Sequence, residues 1–223
     1  MVEEVSSVPL LEAKGICCER GDKQLFDSFD LSLKAGEILQ LAGPNGSGKT
    51  TLLRSICGIF DARIDSLVWR GIPVTDPLQY ADELLYLGHR PAIRHHLTLY
   101  ENLSWYSCLS RCSDSAQLDQ VIAEVGLQGY EDELASSLSA GQKRRIALAR
   151  LRLVDCNLWV LDEPFASLDV EGVKMLCDWI QSFVQSGGSV AYSTHQPVEF
   201  SGCDSRILNI DSSRTLNRGG ARQ

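Results

Sequence analysis

The sequence lacks any long apolar run. Across all 223 residues, no window has the composition of a membrane-spanning helix, which needs about 18 consecutive apolar residues. The first residues, Met1 to Pro9, are acidic and short, and they do not have the pattern of a signal peptide. We therefore expect the chain to remain in the cytoplasm and to reach a membrane only through a partner.

An excess of positive charge is also missing. Lysine and arginine together number 21 and aspartate and glutamate 29, which gives a net charge of −8. Broad nucleic-acid binding needs a basic face. The acidic balance argues against nucleic acid as a partner, although it is compatible with a small local basic patch.

Paired cysteines are absent as well. None of the eight cysteines forms C-x-x-C, and no spacing typical of a metal site occurs. Most lie in apolar runs, so in a cytosolic protein they are predicted to be small buried hydrophobes. Cys108 and Cys112 are four residues apart on a predicted helix and could share a face, which leaves a metal or redox pair as the alternative.

What the chain does contain is a glycine-rich stretch, GPNGSGKT, that fits the P-loop pattern. An apolar strand is predicted just before it, at Ile38–Ala42, and a helix just after it, at 51–57. Backbone N–H groups in such a loop face phosphates, Lys49 is expected to reach the β- and γ-phosphates, and Thr50 to bind Mg²⁺. The predicted ATP-binding residues here are Gly43, Pro44, Asn45, Gly46, Ser47, Gly48, Lys49, Thr50 and Thr51.

Two later apolar runs, 158–161 and 189–193, are predicted to be buried parallel strands with polar residues after them. Hydrolysis needs a carboxylate on the Mg²⁺ shell and a base, and Asp162 and Glu163 suit these roles in that order. Alone, they are equally an acidic turn that ends a strand. His195 follows the second strand and could contact the γ-phosphate, although a lone histidine there is more often a plain loop residue.

The segment Leu138–Gln142, LSAGQ, is predicted to begin a helix. Ser139 can cap that helix, with Gln142 as its capping-box partner. By itself the motif is a well-capped helix, but a capped N-terminus with small residues also accepts a phosphate closely. This second phosphate-type site lies away from the P-loop, so it would bind ATP across a dimer.

The whole pattern predicts an α/β fold without internal repeats. The first forty residues are predicted to form a small antiparallel sheet, and Ser66–Gly71 a further strand and turn. A helical insert occupies about 79–150, with a capping box at Thr98 and Glu101. The core is predicted at about 1–78 and 151–211, followed by a loose polar tail at 212–223.

Order and spacing of these motifs resemble the ATP-binding subunits of ABC transporters over nearly the whole chain. The resemblance implies a single ABC ATP-binding domain over 1–223: a P-loop NTPase with a mixed core sheet flanked by helices, an N-terminal antiparallel β subdomain and a helical insert. It implies a head-to-tail dimer with two ATP molecules, each between one copy's P-loop and the other's signature. The implied signature is Leu138, Ser139, Ala140, Gly141 and Gln142, and the implied D-loop is Ser167, Leu168 and Asp169.

Two positions depart from this family pattern. His89 stands where most members have the glutamine of the Q-loop, and imidazole cannot mimic both ends of an amide. Arg20 stands where an aromatic residue usually stacks on adenine. A guanidinium plane can also stack, and Phe26 is nearby as the alternative.

Finer details resemble the subfamily of cytochrome c maturation (haem exporter) subunits. They lie at Cys18–Arg20, Leu87–Pro91, Arg144–Arg145, Leu161–Phe165 and Ser193–Pro197. The implied partners are the membrane subunits CcmB, CcmC and CcmD and, indirectly, the haem chaperone CcmE, with ATP and Mg²⁺ as cofactors. The basic segment 89–100 is the predicted membrane-partner surface. The alternative is an ABC exporter with a different cargo; a translation or DNA-repair machine is disfavoured by the single cassette and the acidic charge.

Overall fold

The structure is a computed structural model, and it describes residues 8–20, 23–109, 115–195 and 198–210 of the chain. The predicted loose tail 212–223, Cys112 and the pair Gln196–Pro197 lie outside the described residues. The side chain of Arg20 also lies outside them, although its backbone belongs to a strand.

A small antiparallel sheet contains the first two strands and a later hairpin. Its strands run in the order β2-β1-β4-β5. The register pairs Leu11 with both Leu33 and Trp69. The predicted antiparallel sheet is therefore present, with the strands β1 (Leu11–Arg20), β2 (Lys23–Leu33), β4 (Ser66–Trp69) and β5 (Ile72–Pro73).

The core sheet has five strands in the order β6-β7-β8-β3-β9, and each neighbouring pair is parallel. The expected mixed core sheet is corrected in this respect, since every pair of neighbouring strands described in this sheet is parallel. Long crossover connections rather than hairpins join the core strands. After a crossover the next strand runs in the same direction as the previous one, so the two strands are parallel. These strands are β3 (Glu37–Ala42), β6 (Leu84–Leu87), β7 (Leu158–Asp162), β8 (Ser189–Ser193) and β9 (Asp204–Asn209).

Helices cover both faces of the core sheet. On one face Leu39 and Leu41 pack with the first helix and the antiparallel sheet, and on the other Ile38 and Val190 pack with the fourth and fifth helices. A 3₁₀ segment spans Pro77–Glu83. The α-helices are α1 (Lys49–Ile56), α2 (Leu99–Leu109), α3 (Ser115–Glu124), α4 (Ala140–Leu153) and α5 (Val170–Gln185).

The helices α2, α3 and α4 enclose a third apolar cluster, which includes Leu103, Val121 and Ile146. The capping box at the start of α2 is confirmed: the N–H of Thr98 donates to Glu101 Oε2 at 2.8 Å, and the N–H of Glu101 donates to Thr98 Oγ1 at 3.1 Å. This cluster supports the predicted helical insert, whose boundaries at about 79–150 stay a prediction.

The order of the core strands decides where the site lies. The strands β7, β8 and β3 are neighbours and parallel, so the segments after them meet at one edge of the sheet. Those segments are the P-loop, the Asp162–Glu163 pair and the turn to His195.

None of the described helices has both the length and the apolar character needed to cross a membrane.

Candidate active site

The glycine-rich loop connects β3 to α1, and two of its glycines pack closely against Phe26 and Ile210. Gly48 caps α1 with φ +100°, and a Cβ there would lie 2.5 Å from the ring of Phe26. Gly43 has φ +154°, and a Cβ there would lie 2.5 Å from the carbonyl oxygen of Ile210. A side chain at either position would force the loop outward, which explains why glycine is required there.

Phe26 therefore has a structural place under the loop. Its ring packs against Phe29 at 5.4 Å between centroids, and only 6% of the residue is exposed. A ring without a free face cannot stack on a base, which argues against Phe26 as the adenine-stacking residue. Arg20 stays a prediction, because its side chain is not among those described.

Lys49 begins α1 and is buried. Its ammonium donates to the carbonyl oxygens of Gly43 at 2.7 Å and Pro44 at 3.1 Å, so the loop itself holds it in the mouth of the site. The Oγ of Ser47 is buried beside it, with no hydrogen-bond partner among the described residues. A buried hydroxyl and a cation at a helix N-terminus can both bind an anion.

Asp162 ends β7 and is almost fully buried, with 1% of its surface exposed. Its Oδ1 accepts hydrogen bonds from Thr50 Oγ1 at 2.9 Å and Ser193 Oγ at 2.8 Å. Its Oδ2 is buried and has no hydrogen-bond partner within the described parts of the chain. Hard oxygen donors around an unpaired carboxylate oxygen fit Mg²⁺, so Thr50 and Asp162 are suited to hold this ion.

Glu163 and His195 meet across the ends of β7 and β8. His195 Nε2 lies 3.1 Å from Glu163 Oε1. The N–H of Glu163 donates to the carbonyl oxygen of Ser193 at 3.2 Å and to its Oγ at 3.1 Å. The predicted neighbours are thus brought together, and the same Ser193 fixes both carboxylate residues.

Sequence reasoning missed Ser193 and Arg144 as site residues. Arg144 is 3% exposed and donates to backbone carbonyls at the ends of β6 and β7. The signal that could have found it is a charged residue on the apolar face of α4, in register with Ala147, Leu148 and Leu151. A charge on a buried face needs partners.

A cavity of about 800 Å³ collects most of these residues at the sheet edge. P-loop residues line it together with Asp162, Glu163 and His195, and the exposed His89 lies at its rim. Leu25, Arg54, Phe60 and Arg90 complete much of the wall. Of the described residues that line the cavity, none comes from the 138–142 segment.

The start of α4 instead lies exposed. Ser139 Oγ accepts from the N–H of Gln142 at 3.2 Å, and Gln142 Oε1 accepts from the N–H of Ser139 at 2.9 Å, so the predicted capping box is confirmed. A Cβ at Gly141 would lie 3.2 Å from the carbonyl oxygen of Ser167, which packs the proposed signature against the proposed D-loop. Ser167 itself has φ +64°.

The proposed D-loop ends at the cap of α5. Asp169 accepts from the N–H of Gly172 at 2.9 Å and from Arg145 Nη2 at 2.7 Å. These contacts, the backbone one first, hold the pKa of Asp169 below its ordinary value. Arg145 therefore ties α4 to the D-loop segment on one side.

Comparisons with known proteins agree with one another. A family model described as ABC transporter matches residues 26–166. The cytochrome c biogenesis ATP-binding export protein CcmA of Escherichia coli K12 is 42% identical over 207 residues, covering 92% of this chain and 98% of that protein. CcmA of Shigella flexneri shows the same identity and coverage.

Solved structures support the fold alone. An ABC transporter ATP-binding protein of Pyrococcus furiosus aligns with a TM-score of 0.75 at 22% identity, over 90% of this chain and 96% of that one. The ATP-binding subunit of another ABC transporter aligns with a TM-score of 0.75 at 23% identity, over 90% and 88%.

Proposed function

The chain belongs to the ABC transporter family as one of its ATP-hydrolysing subunits, and from that premise we propose that it drives a membrane complex for cytochrome c biogenesis. The observation that carries this proposal is the 42% identity to CcmA of Escherichia coli across 92% of the chain. ATP hydrolysis would then be coupled to haem export or to release of the haem-loaded chaperone CcmE.

The proposed reaction uses residues that the cavity brings together. N–H groups of the P-loop and the ammonium of Lys49 bind the β- and γ-phosphates. Thr50 and Asp162 would hold Mg²⁺, which would neutralise part of the phosphate charge when bound. Glu163 would accept a proton from the attacking water, and His195 Nε2, 3.1 Å from Glu163 Oε1, would hold that carboxylate and contact the γ-phosphate.

The second half of each site is proposed to come from a second copy. Ser139 and Ala140 are exposed, and they lie outside the cavity formed by the P-loop. The N-terminus of a 14-residue helix favours an anion. In a head-to-tail dimer, this segment of one copy would close over the phosphates held by the other.

Membrane partners are proposed to bind at segment 89–100. Arg90, Arg94, His95 and His96 are exposed there, and the guanidinium of Arg94 lies 4.0 Å from the ring centre of Trp105, which is 40% exposed. A basic rim beside an exposed aromatic suits a protein partner. We propose CcmB, CcmC and CcmD as these partners and the cytoplasmic face of the bacterial inner membrane as the location. Co-purification with membrane subunits of a different exporter would instead favour a different cargo.

Replacing the proposed base tests the reaction. Glu163→Gln keeps the shape of the side chain but cannot accept the proton, so we expect the hydrolysis rate to fall by about 10²- to 10⁴-fold while ATP still binds. Glu12→Gln makes the same change on an outlying strand, where Glu12 pairs with Lys14, and it should leave the rate unchanged. Undiminished hydrolysis by Glu163→Gln would contradict the role of Glu163.

A further inference from the structure

Arg144 lies two positions after Gln142 on α4 and is 3% exposed. Its guanidinium donates to backbone carbonyl oxygens from two strand ends. No carboxylate forms an ion pair with it within the described residues. The acceptors are the carbonyl oxygens of Glu163 at 2.8 Å, Gly88 at 3.0 Å, Pro164 at 3.2 Å, Asp162 at 3.4 Å and His89 at 3.5 Å.

Three of these carbonyls are consecutive, and the backbone of Glu163 explains how they converge. Glu163 has φ +49°, a left-handed conformation that is unfavourable for a residue with a Cβ. This turn directs the carbonyls of Asp162, Glu163 and Pro164 toward one guanidinium. The planar fork of arginine can satisfy several acceptors at once.

Glu163 is therefore held at both of its backbone groups, the N–H and the carbonyl. Ser193 accepts from its N–H, and Arg144 donates to its carbonyl. With its backbone held in this way, Glu163 has a carboxylate oxygen that lies 3.1 Å from His195 Nε2. Burial lowers the pKa of Arg144, partly opposed by the charges of Asp162 and Glu163, as expected for a cation kept at some cost inside the protein.

We propose that Arg144 is a positioning residue for ATP hydrolysis, which holds the Asp162–Pro164 turn so that the Glu163 carboxylate faces the site. This inference rests on the proposed function. Because Arg144 also belongs to the helix that begins at the proposed signature, it joins the signature end of one copy to the turn that carries Glu163 in the same copy. Binding of another protein surface to the start of α4 that shifts this helix would then also shift Glu163.

Arg150 offers a matched control on the same helix. Burial lowers its pKa too, but its guanidinium lies 4.4 Å from the ring centre of Tyr106, whereas that of Arg144 contacts the carbonyls of the Asp162–Pro164 turn. Lysine at either position keeps a charge and a long stem, but it loses the planar fork. The Arg144→Lys and Arg150→Lys variants thus remove the same geometry from two places.

The test uses the full chain, purified with the membrane subunits that accompany it. We measure melting temperature, ATP affinity and hydrolysis rate for both lysine variants. Arg144→Lys is expected to lower kcat by about 100-fold with the ATP affinity nearly unchanged, since a misplaced catalytic group can cost that much. Arg150→Lys is expected to keep kcat. Equal kcat in the two variants, or a loss of ATP affinity alone, would overturn the proposal.

A double variant separates positioning from a merely structural role. If Arg144 acts through Glu163, then Arg144→Lys should cause no further fall in the single-turnover rate of Glu163→Gln. A second 100-fold fall in that background would contradict the proposal. Wild-type hydrolysis by Glu163→Gln would count against the proposed function itself, whereas an inactive Glu163→Gln beside a fully active Arg144→Lys would count against this inference alone.

Discussion

The two regions proposed to bind phosphate differ in how far each is enclosed within one copy. Around the P-loop, Lys49 and Asp162 are buried, and their hydrogen bonds are made within the chain. At the start of α4, Ser139 and Ala140 are exposed, and the capping box satisfies the helix end from within. The first region is enclosed within one copy, whereas the second is exposed, as the proposed shared site requires.

This difference also concerns rigidity. An N-cap of this kind stabilises its helix by about 1 kcal/mol, and Gly141 packs closely against the Ser167 carbonyl. The exposed helix end therefore has its shape before any phosphate arrives. Pre-organisation lowers the ordering cost of binding, so a preformed exposed end is consistent with a site assembled from two halves.

Removing the lysine of the enclosed region should have the largest effect. Lys49→Ala removes the ammonium that we propose binds the β- and γ-phosphates, and two charge-assisted hydrogen bonds to them would together contribute about 3–6 kcal/mol. We expect ATP affinity to fall by at least about 100-fold and hydrolysis to become undetectable. Lys34→Ala, directly after the end of β2 and outside the cavity lining, is the control. Normal ATP binding by Lys49→Ala would remove the distinction between the two regions.

A substitution at the exposed end should lower hydrolysis and leave ATP binding to the P-loop. Ser139→Asp keeps the helix cap but adds a negative charge where the phosphates of the other copy would lie, whereas Ser139→Asn keeps the cap without charge. We expect equal melting temperatures and a much slower hydrolysis rate for Ser139→Asp than for Ser139→Asn.

Mixing the two damaged proteins sharpens this prediction. In a head-to-tail dimer of Lys49→Ala with Ser139→Asp, both defects fall in one site and the other site is intact. Random mixing in equal amounts should therefore restore activity to about one quarter of wild type if the two sites act independently. A mixture as inactive as its components would argue against the shared site.

His195 should have an intermediate effect. Its contact with the Glu163 carboxylate is one charge-assisted hydrogen bond, worth about 1.5–3 kcal/mol. His195→Ala is therefore expected to slow hydrolysis by about 10- to 150-fold without loss of ATP affinity. Tyr130→Ala, at a 42% exposed ring outside the cavity lining, is the control, and an equal response of the two variants would refute the assignment.

Local signals were enough to predict much of this molecule. The P-loop, the capping boxes at Thr98 and Ser139 and the buried strands β7 and β8 each follow from residues close together in sequence. Caps and apolar runs act within one element, so sequence alone specifies them. Placing Asp162, Glu163 and His195 at one sheet edge needed only the rule that ligands bind at strand ends.

What could not be predicted depends on contacts distant in sequence. Ser193 bonds Asp162 across 31 residues, and Arg144 reaches Gly88 across 56. Phe26 could not be placed under Gly48 without knowing how the two sheets pack. The all-parallel pairing of the core sheet was missed for the same reason, since pairing direction depends on which strands become neighbours.

The smallest effect should come from Asp169, which links the exposed helix to α5 through Arg145. Asp169→Asn keeps a capping side chain but loses the charge, and because the Asp169 side chain is largely open to solvent, screening weakens its pair with Arg145. The pKa of Asp169 lies below the ordinary value of 3.8, so its stabilisation is complete above that value and is lost as the pH falls through the lowered folded-state pKa. We therefore expect a slightly lower melting temperature for Asp169→Asn at neutral pH, and a gap from wild type that closes only under strongly acidic conditions. A gap that already closed between pH 7 and 5 would show that another group titrates, and the link between α4 and the D-loop segment would then have a different origin.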